Sequence, residues 1–328
     1  MKVAFVSLGC AKNLVNTEQM MALTRAAGHT VTGEPEGADI AVLNTCGFID
    51  SAKSEAIQNI LELAALKDQG KLGKLLVTGC LSQRYQDELT KEMPEVDGVM
   101  GTGSYTDIVS ALEELAAGGH PRRFGDISRT DEDGERLVTT PSYTAFLKIA
   151  EGCDNRCAFC IIPYLRGRYR SRTMEALLEE AKALADRGVK ELIVIAQDIT
   201  RYGIDLYHKQ MLGELLNELC KLPFHWIRLH YLYPDILGDD LIEVIARQPK
   251  IVKYIDIPLQ HSNDRILKAM NRHTTNAQIR ALLGKLRERI PGVVVGPPRK
   301  WGPARGGGGG FYVVGPIPAA RGTFAAGE

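Results

Sequence analysis

Short apolar runs alternate with helical patterns along most of this chain. Val3–Leu8, Ile40–Leu43 and Leu75–Val77 are too short for helices, and amphipathic stretches follow them. The first run predicts a strand leading into Gly9-Cys10, then a helix from about Thr17 to Ala27 closed by Gly28. The second predicts a strand ending at Asn44-Thr45-Cys46 and a helix opening near Ser51, and the third ends at Thr78-Gly79-Cys80. A further helix is expected from Ser104, where Ser104 and Asp107 have the spacing of a capping box, to Gly118-Gly119. Strands alternating with helices predict an α/β fold, with a parallel, doubly wound sheet over residues 1–117.

Residues 118–140 are polar and read as a linker, with Gly119-His120-Pro121 and Asp131-Glu132-Asp133-Gly134 as its markers. Strand-like runs then recur at Phe146–Ile149, Leu192–Ala196, Ile227–Tyr231, Tyr254–Pro258 and Val293–Val295. Helical patterns such as Thr173–Arg187 and Asn276–Ile290 separate them. This predicts a second α/β domain over residues 141–295, an open (β/α) barrel that stays incomplete. From Gly296 to Glu328 the pattern stops: ten of these 33 residues are glycine and five are proline. So little apolar surface cannot offset the entropy of ordering, and no stable fold is expected there. The tail reads as a change of reading frame, which rereading the coding DNA beyond Val295 would test.

Composition changes this picture little. The chain has 328 residues, 45% hydrophobic and 24% charged, with 40 basic and 40 acidic side chains. Such a balance gives no electrostatic reason to expect direct nucleic-acid binding or a membrane surface. No leader pattern opens the chain, and no run approaches the roughly 20 apolar residues of a membrane span, so a cytoplasmic location is expected.

The seven cysteines add chemistry. They stand at 10, 46, 80, 153, 157, 160 and 220. In a doubly wound sheet the carboxyl ends of the strands share one edge, so Cys10, Cys46 and Cys80, each just after a strand, are expected to line one rim. Three small buried hydrophobes are the plainer reading, but the matching positions favour a shared metal site. Cys153, Cys157 and Cys160 form Cys-x-x-x-Cys-x-x-Cys directly after a strand. Three thiolates on one loop can hold a 4Fe–4S cluster and leave one iron open to substrate. A zinc ribbon would want a second Cys-x-x-Cys pair, and the sequence has none.

This second triplet, with Phe159 before its last cysteine, resembles the radical S-adenosylmethionine superfamily. LGCAKNLVNTE at Leu8–Glu18, NTCGFIDSAKSEA at Asn44–Ala56, TGCLSQRY at Thr78–Tyr85 and KIAEGCDNRCAFCIIPYLRGRYRSR at Lys148–Arg172 are similar to the methylthiotransferases within it. The resemblance runs from Met1 to about Val295, and the family's C-terminal part is missing or replaced. It implies two 4Fe–4S clusters and S-adenosylmethionine. The cluster on Cys153, Cys157 and Cys160 would generate a 5′-deoxyadenosyl radical, and the one on Cys10, Cys46 and Cys80 would deliver sulfur. AQDITRYGIDLY at Ala196–Tyr207, WIRLHYLYP at Trp226–Pro234 and YIDIPLQH at Tyr254–His261 look most like the ribosomal branch. That branch adds a methylthio group to the β-carbon of an aspartate on small-subunit ribosomal protein twelve. The implied partners are that protein and an electron donor such as flavodoxin or ferredoxin. Two alternatives stay open, a transfer-RNA adenosine methylthiotransferase and a truncated iron–sulfur protein without turnover. Asn16 stands where this family more usually has an acidic residue.

The remaining candidates follow from position. Gln197 and Asp198 come after the second barrel strand and Gln260 and His261 after the fourth, at the rim where polar residues usually act. The resemblance implies that Gln197, Asp198 and Gln260 meet the cofactor, with His261 as a hydrogen-bonding wall. Arg166, Arg168, Arg170 and Arg172 alternate, and an extended backbone would align them into one basic strip. Cys220, on a helical pattern between Leu219 and Leu222, is expected in the core.

Overall fold

A computed structural model describes residues 1–129 and 134–296. The glycine-rich tail beyond Gly296 and the acidic run Asp131-Glu132-Asp133 lie outside the described residues.

The first domain runs β1 (Lys2–Ser7), α1 (Ala11–Ala26), β2 (Thr30–Thr32), β3 (Ala38–Thr45), α2 (Asp50–Asp68), β4 (Leu72–Gly79), α3 (Cys80–Glu92), β5 (Gly98–Met100), α4 (Ile108–Ala116) and β6 (Arg122–Arg123). Its strands form one parallel sheet in the order β2-β1-β3-β4-β5-β6. Strand alternation sends neighbouring residues to opposite faces. Ala41 and Leu43 pack with Ile60 and Leu63 of α2 on one side, and Ile40 and Val42 with Met20 of α1 and Leu112 of α4 on the other. The sheet is therefore doubly wound, as the alternating pattern predicts. Its strand order reverses between β1 and β3, the crevice where such folds gather ligands.

The second domain runs β7 (Thr144–Lys148), β8 (Ala150–Glu151), α5 (Ile162–Arg166), β9 (Arg170–Ser171), α6 (Met174–Asp186), β10 (Glu191–Ile195), α7 (Ile204–Tyr207), α8 (Leu212–Leu219), β11 (Trp226–Leu229), α9 (Asp239–Arg247), β12 (Ile251–Asp256), α10 (Asp264–Ala269), α11 (Asn276–Arg289) and β13 (Val294–Gly296). Five strands form an open parallel sheet in the order β13-β12-β11-β10-β7. Leu192 and Val194 face the outer helices, where Cys220 is also buried. Ile193 and Ile195 face inward, against Val15 and Ala11 of α1. A helix of the first domain thus covers part of the inner face of the incomplete barrel.

Several local expectations shift. Helix α1 starts at Ala11 rather than near Thr17, because it begins directly behind Cys10. Ser104 forms no capping box: its hydroxyl instead accepts from the Gly125 backbone at 2.8 Å, and a short 3₁₀ turn over Tyr105–Asp107 precedes α4. Within the stretch expected to be a linker, β6 adds a sixth strand to the first sheet and Arg136 is buried. No helix among the described residues is long and apolar enough to cross a membrane.

Candidate metal centres at the domain junction

Cys10, Cys46 and Cys80 follow β1, β3 and β4 and gather at the carboxyl rim of the first sheet, all as free thiols. Close backbone approach makes this possible. Gly9 is left-handed at φ +89°, and a Cβ there would lie 2.6 Å from Cys46 Cβ. Asn13 ties the three loops together. Its amide donates to the carbonyls of Leu8 (3.1 Å) and Thr45 (2.9 Å), and the Cys80 thiol points at its Oδ1 from 3.9 Å. Burial raises the Cys10 thiol, but Lys12 and Arg166 outweigh it and hold the thiol below its ordinary value. At Cys80 burial wins and the thiol is raised despite Arg166.

Cys153, Cys157 and Cys160 lie on the loop between β8 and α5; the first two are buried and the third half-buried. Three neighbours hold this loop. Cys153 N–H donates to Gly167 O (3.2 Å), Ala158 N–H to Met270 O (3.0 Å), and Asn271 Nδ2 to Arg156 O (2.8 Å). Burial pushes the Cys153 thiol up to about 12 and also raises Cys160. A guanidinium faces one sulfur of each triplet at 3.5 Å, Arg166 on Cys80 and Arg272 on Cys157. Among the described residues no trio of His, Cys, Asp or Glu converges as a single metal ion would need. A cubane cluster sets wider spacing, since each thiolate binds a different iron.

Glu151 and Arg166 together link the two triplets. Glu151 Oε2 accepts from Lys148 Nζ at 3.0 Å and Arg166 Nη1 at 2.7 Å, and its Oε1 accepts from Gln197 Nε2 and, at 3.2 Å, from Gly152 N–H. Burial alone would raise this carboxyl, but Arg166 and Lys148 hold it well below the usual carboxylate range. Arg166 continues to Asn16 Oδ1 at 3.2 Å and to Asn13 Oδ1. One buried chain of hydrogen bonds therefore runs from the loop of Cys153 to Cys80.

The predicted site residues fare differently. Gln197 is buried at this bridge, with its Oε1 unpartnered. Asp198 is fully buried and both its oxygens are occupied: Oδ1 accepts from Thr200 N–H at 3.0 Å, Oδ2 from Asn155 Nδ2 at 3.0 Å and Arg201 Nε at 3.1 Å. It braces the cysteine loop through Asn155. Gln260 lies four residues beyond β12 in a left-handed turn at φ +68°. His261 Nδ1 accepts from Asn263 N–H of its own loop at 2.9 Å.

The four arginines do not form one strip. Arg166 ends a helix and points inward, Gly167 turns the chain at φ +72°, Arg168 lies in solvent, and Arg172 is buried on Lys148 O and Glu180. The alternation assumed an extended segment that begins only at Arg170. Lys12, Asn13 and Glu151 have no sequence signal beyond proximity to a cysteine or a strand end, and Arg272, just after α10, has none.

Residues 2–101 match the uncharacterized protein family UPF0004, and residues 147–298 match the radical SAM superfamily. The ribosomal protein uS12 methylthiotransferases RimO of Symbiobacterium thermophilum, Caldanaerobacter subterraneus subsp. tengcongensis and Clostridioides difficile are 50%, 52% and 50% identical to the chain. These matches cover 89%, 89% and 90% of this chain, which spans 61%, 67% and 67% of the relatives' own lengths. Among solved structures, the radical S-adenosylmethionine methyltransferase TsrM from Kitasatospora setae superposes at TM-score 0.64 over 90% of this chain and 67% of its own. The cobalamin-dependent radical enzyme OxsB superposes at 0.60 over 90% of this chain and 48% of its own. Both are 12% identical and speak to the fold alone. With about half its residues identical along nine-tenths of its length, the chain belongs to the family of the ribosomal protein uS12 methylthiotransferase RimO.

Proposed function

We propose that this chain is a radical S-adenosylmethionine methylthiotransferase that modifies the β-carbon of an aspartate on ribosomal protein uS12. The observation that carries the reading is the linking of the two cysteine triplets by buried Arg166, which pairs with Glu151 at 2.7 Å and faces Cys80 Sγ at 3.5 Å. A radical source and a sulfur source must act on one carbon, so their ligand sets have to open on one space.

The donor sets suit the groups this function requires. All six thiols are free, and both triplets have a cation within reach of a sulfur. Cys153, Cys157 and Cys160 would hold one 4Fe–4S cluster and Cys10, Cys46 and Cys80 a second, each with three protein ligands. When bound, these clusters and S-adenosylmethionine supply the radical and the sulfur. The protein holds the ligands in place, with Asp198 and Asn155 fixing one loop and Asn13 the other three. Packing of α1 on the inner barrel face keeps water from that side.

The test uses the chain reconstituted anaerobically with iron and sulfide, then given S-adenosylmethionine, a flavodoxin- or ferredoxin-type reductant and purified uS12. The expected outcome is about eight irons per chain and one methylthio group on a uS12 aspartate by mass spectrometry. Cys157→Ala should abolish reductive cleavage of S-adenosylmethionine, while Cys46→Ala should spare cleavage and stop transfer. Modification of adenosine in transfer RNA instead of uS12 would overturn the substrate assignment.

A further inference from the structure

Lys12 is a buried cation with no carboxylate partner among the described residues. It is 7% exposed, in the first turn of α1, two residues after Cys10. Its Nζ reaches across the domain junction to Ala196 O at 3.4 Å and lies 3.9 Å from the centre of the Tyr231 ring. These contacts set it beyond the ends of β10 and β11, at the barrel rim. Among the described residues no carboxylate comes within 4.0 Å of it.

An ammonium held in this way has lost its water without gaining a carboxylate partner, which is unfavourable unless a ligand supplies one. The groups facing it are Cys10, Tyr231, His230 and Asp256. The Cys10 thiolate would share its charge with a cluster, spread over its sulfurs and irons, and offers no carboxylate-like partner. His230 is repelled by Lys12 and offers no negative charge. Asp256 lies outside ion-pair range, and one of its oxygens is itself buried without a partner. Gln197 Oε1 is a second orphan at the same rim. Three polar groups at one mouth thus have unused capacity, and the cation is the one suited to an anion.

We propose that Lys12 determines substrate specificity by binding the side-chain carboxylate of the target aspartate. This rests on the uS12 reading. In that reading the reacting β-carbon lies between the two cysteine triplets, and the carboxylate is one bond away. A cation beside Cys10 and above the barrel strands sits where that carboxylate must come. Fixing it there leaves rotation about one bond to aim the β-carbon, and leaves an asparagine in the same place without its ionic partner.

The test is binding without turnover. The 328-residue chain, loaded with clusters and S-adenosylmethionine but left unreduced, is titrated into a fluorescein-labelled peptide spanning the target aspartate of uS12. A second peptide carries asparagine there. The wild type should prefer the aspartate peptide by roughly tenfold or more. Lys12→Met and Lys12→Gln should bring the two peptides to equal affinity by weakening the aspartate peptide, and Lys12→Arg should keep the preference. Lys12→Gln retains a donor for Ala196 O, so it carries the test if Lys12→Met does not fold. An aspartate preference that persists in the neutral variants, or equal binding by the wild type, overturns the proposal while the uS12 reading stands. Wild-type protein that binds neither peptide overturns both.

Discussion

At the scale of single residues, Arg166 links most of the junction. It is 2% exposed and meets Glu151, Asn13, Asn16 and Cys80 with one planar fork. Arg166→Met would remove the charge but keep much of the volume, leaving Glu151 with Lys148 as its one remaining cation. The expected cost is about 3–5 kcal/mol in urea unfolding. Arg166→Lys should recover only part, because a point ammonium cannot span four acceptors; full recovery would refute the bridging role. His230 gives a pH prediction. Burial, then Arg228 and Lys12, press its imidazole down to about 4, against about 6.5 in an unfolded chain. The unfolded state then takes up the proton first. Stability is intact above about 6.5 and declines as pH falls towards 4. His230→Gln should flatten that decline, by on the order of 1 kcal/mol because the ring is partly open to solvent. At this scale the sequence was legible where covalent spacing carried the signal. Cys153, Cys157 and Cys160 share eight residues, so one loop had to present them. The inward turn of Arg166 was not legible, since it depends on Gly167 adopting a left-handed backbone.

At the scale of elements, α1 belongs to both domains. Its Met20 packs against the first sheet and its Val15 against the second. Glu18, 1% exposed, holds the chain entering the barrel: it accepts from Arg136 Nη1 at 2.7 Å and from Thr139 N–H and Oγ1 at 2.7 and 2.9 Å. Arg136 also pairs with Glu180 of α6 at 2.7 Å. Removing one partner from such a buried network leaves its opposite charge uncompensated. Glu18→Ala should therefore raise amide exchange around residues 136–139 and at the first turns of α1, while the outer helices α8 and α9 keep their protection. Unchanged exchange around residues 136–139 would show that α1 packing alone holds the junction. Strand and helix order was readable from hydrophobic period because each element buries a face within its own domain. The double role of α1 was hidden, because one helical stripe looks the same whether it meets one sheet or two. Glu18 and Arg136 are 118 positions apart, and neither has a local pattern that names the other.

At the scale of the whole molecule, the two domains are joined by buried charge and apolar packing. Val15, Ile193 and Ile195 share one cluster across the junction, Arg166 crosses it beside the cysteines to Asn13, Asn16 and Cys80, and Arg136 of the connecting stretch pairs with both Glu18 and Glu180 behind them. An interface with no buried pairs would let two α/β domains unfold separately. Here separation would expose two ion-paired networks and part of the inner barrel face at once, so the domains should unfold together. Two local reporters test this. With Trp301→Phe, Trp226 fluorescence reads the barrel, and thiol labelling at buried Cys46 reads the first sheet. In cluster-free protein both should change at the same urea concentration. Glu18→Ala combined with Arg166→Met should split them, with Cys46 reacting at a urea concentration different from that of the Trp226 transition. Two separate midpoints in the parent protein would mean that these pairs align the domains without coupling their stability. The two triplets would then be held in register only while the clusters themselves lock their loops.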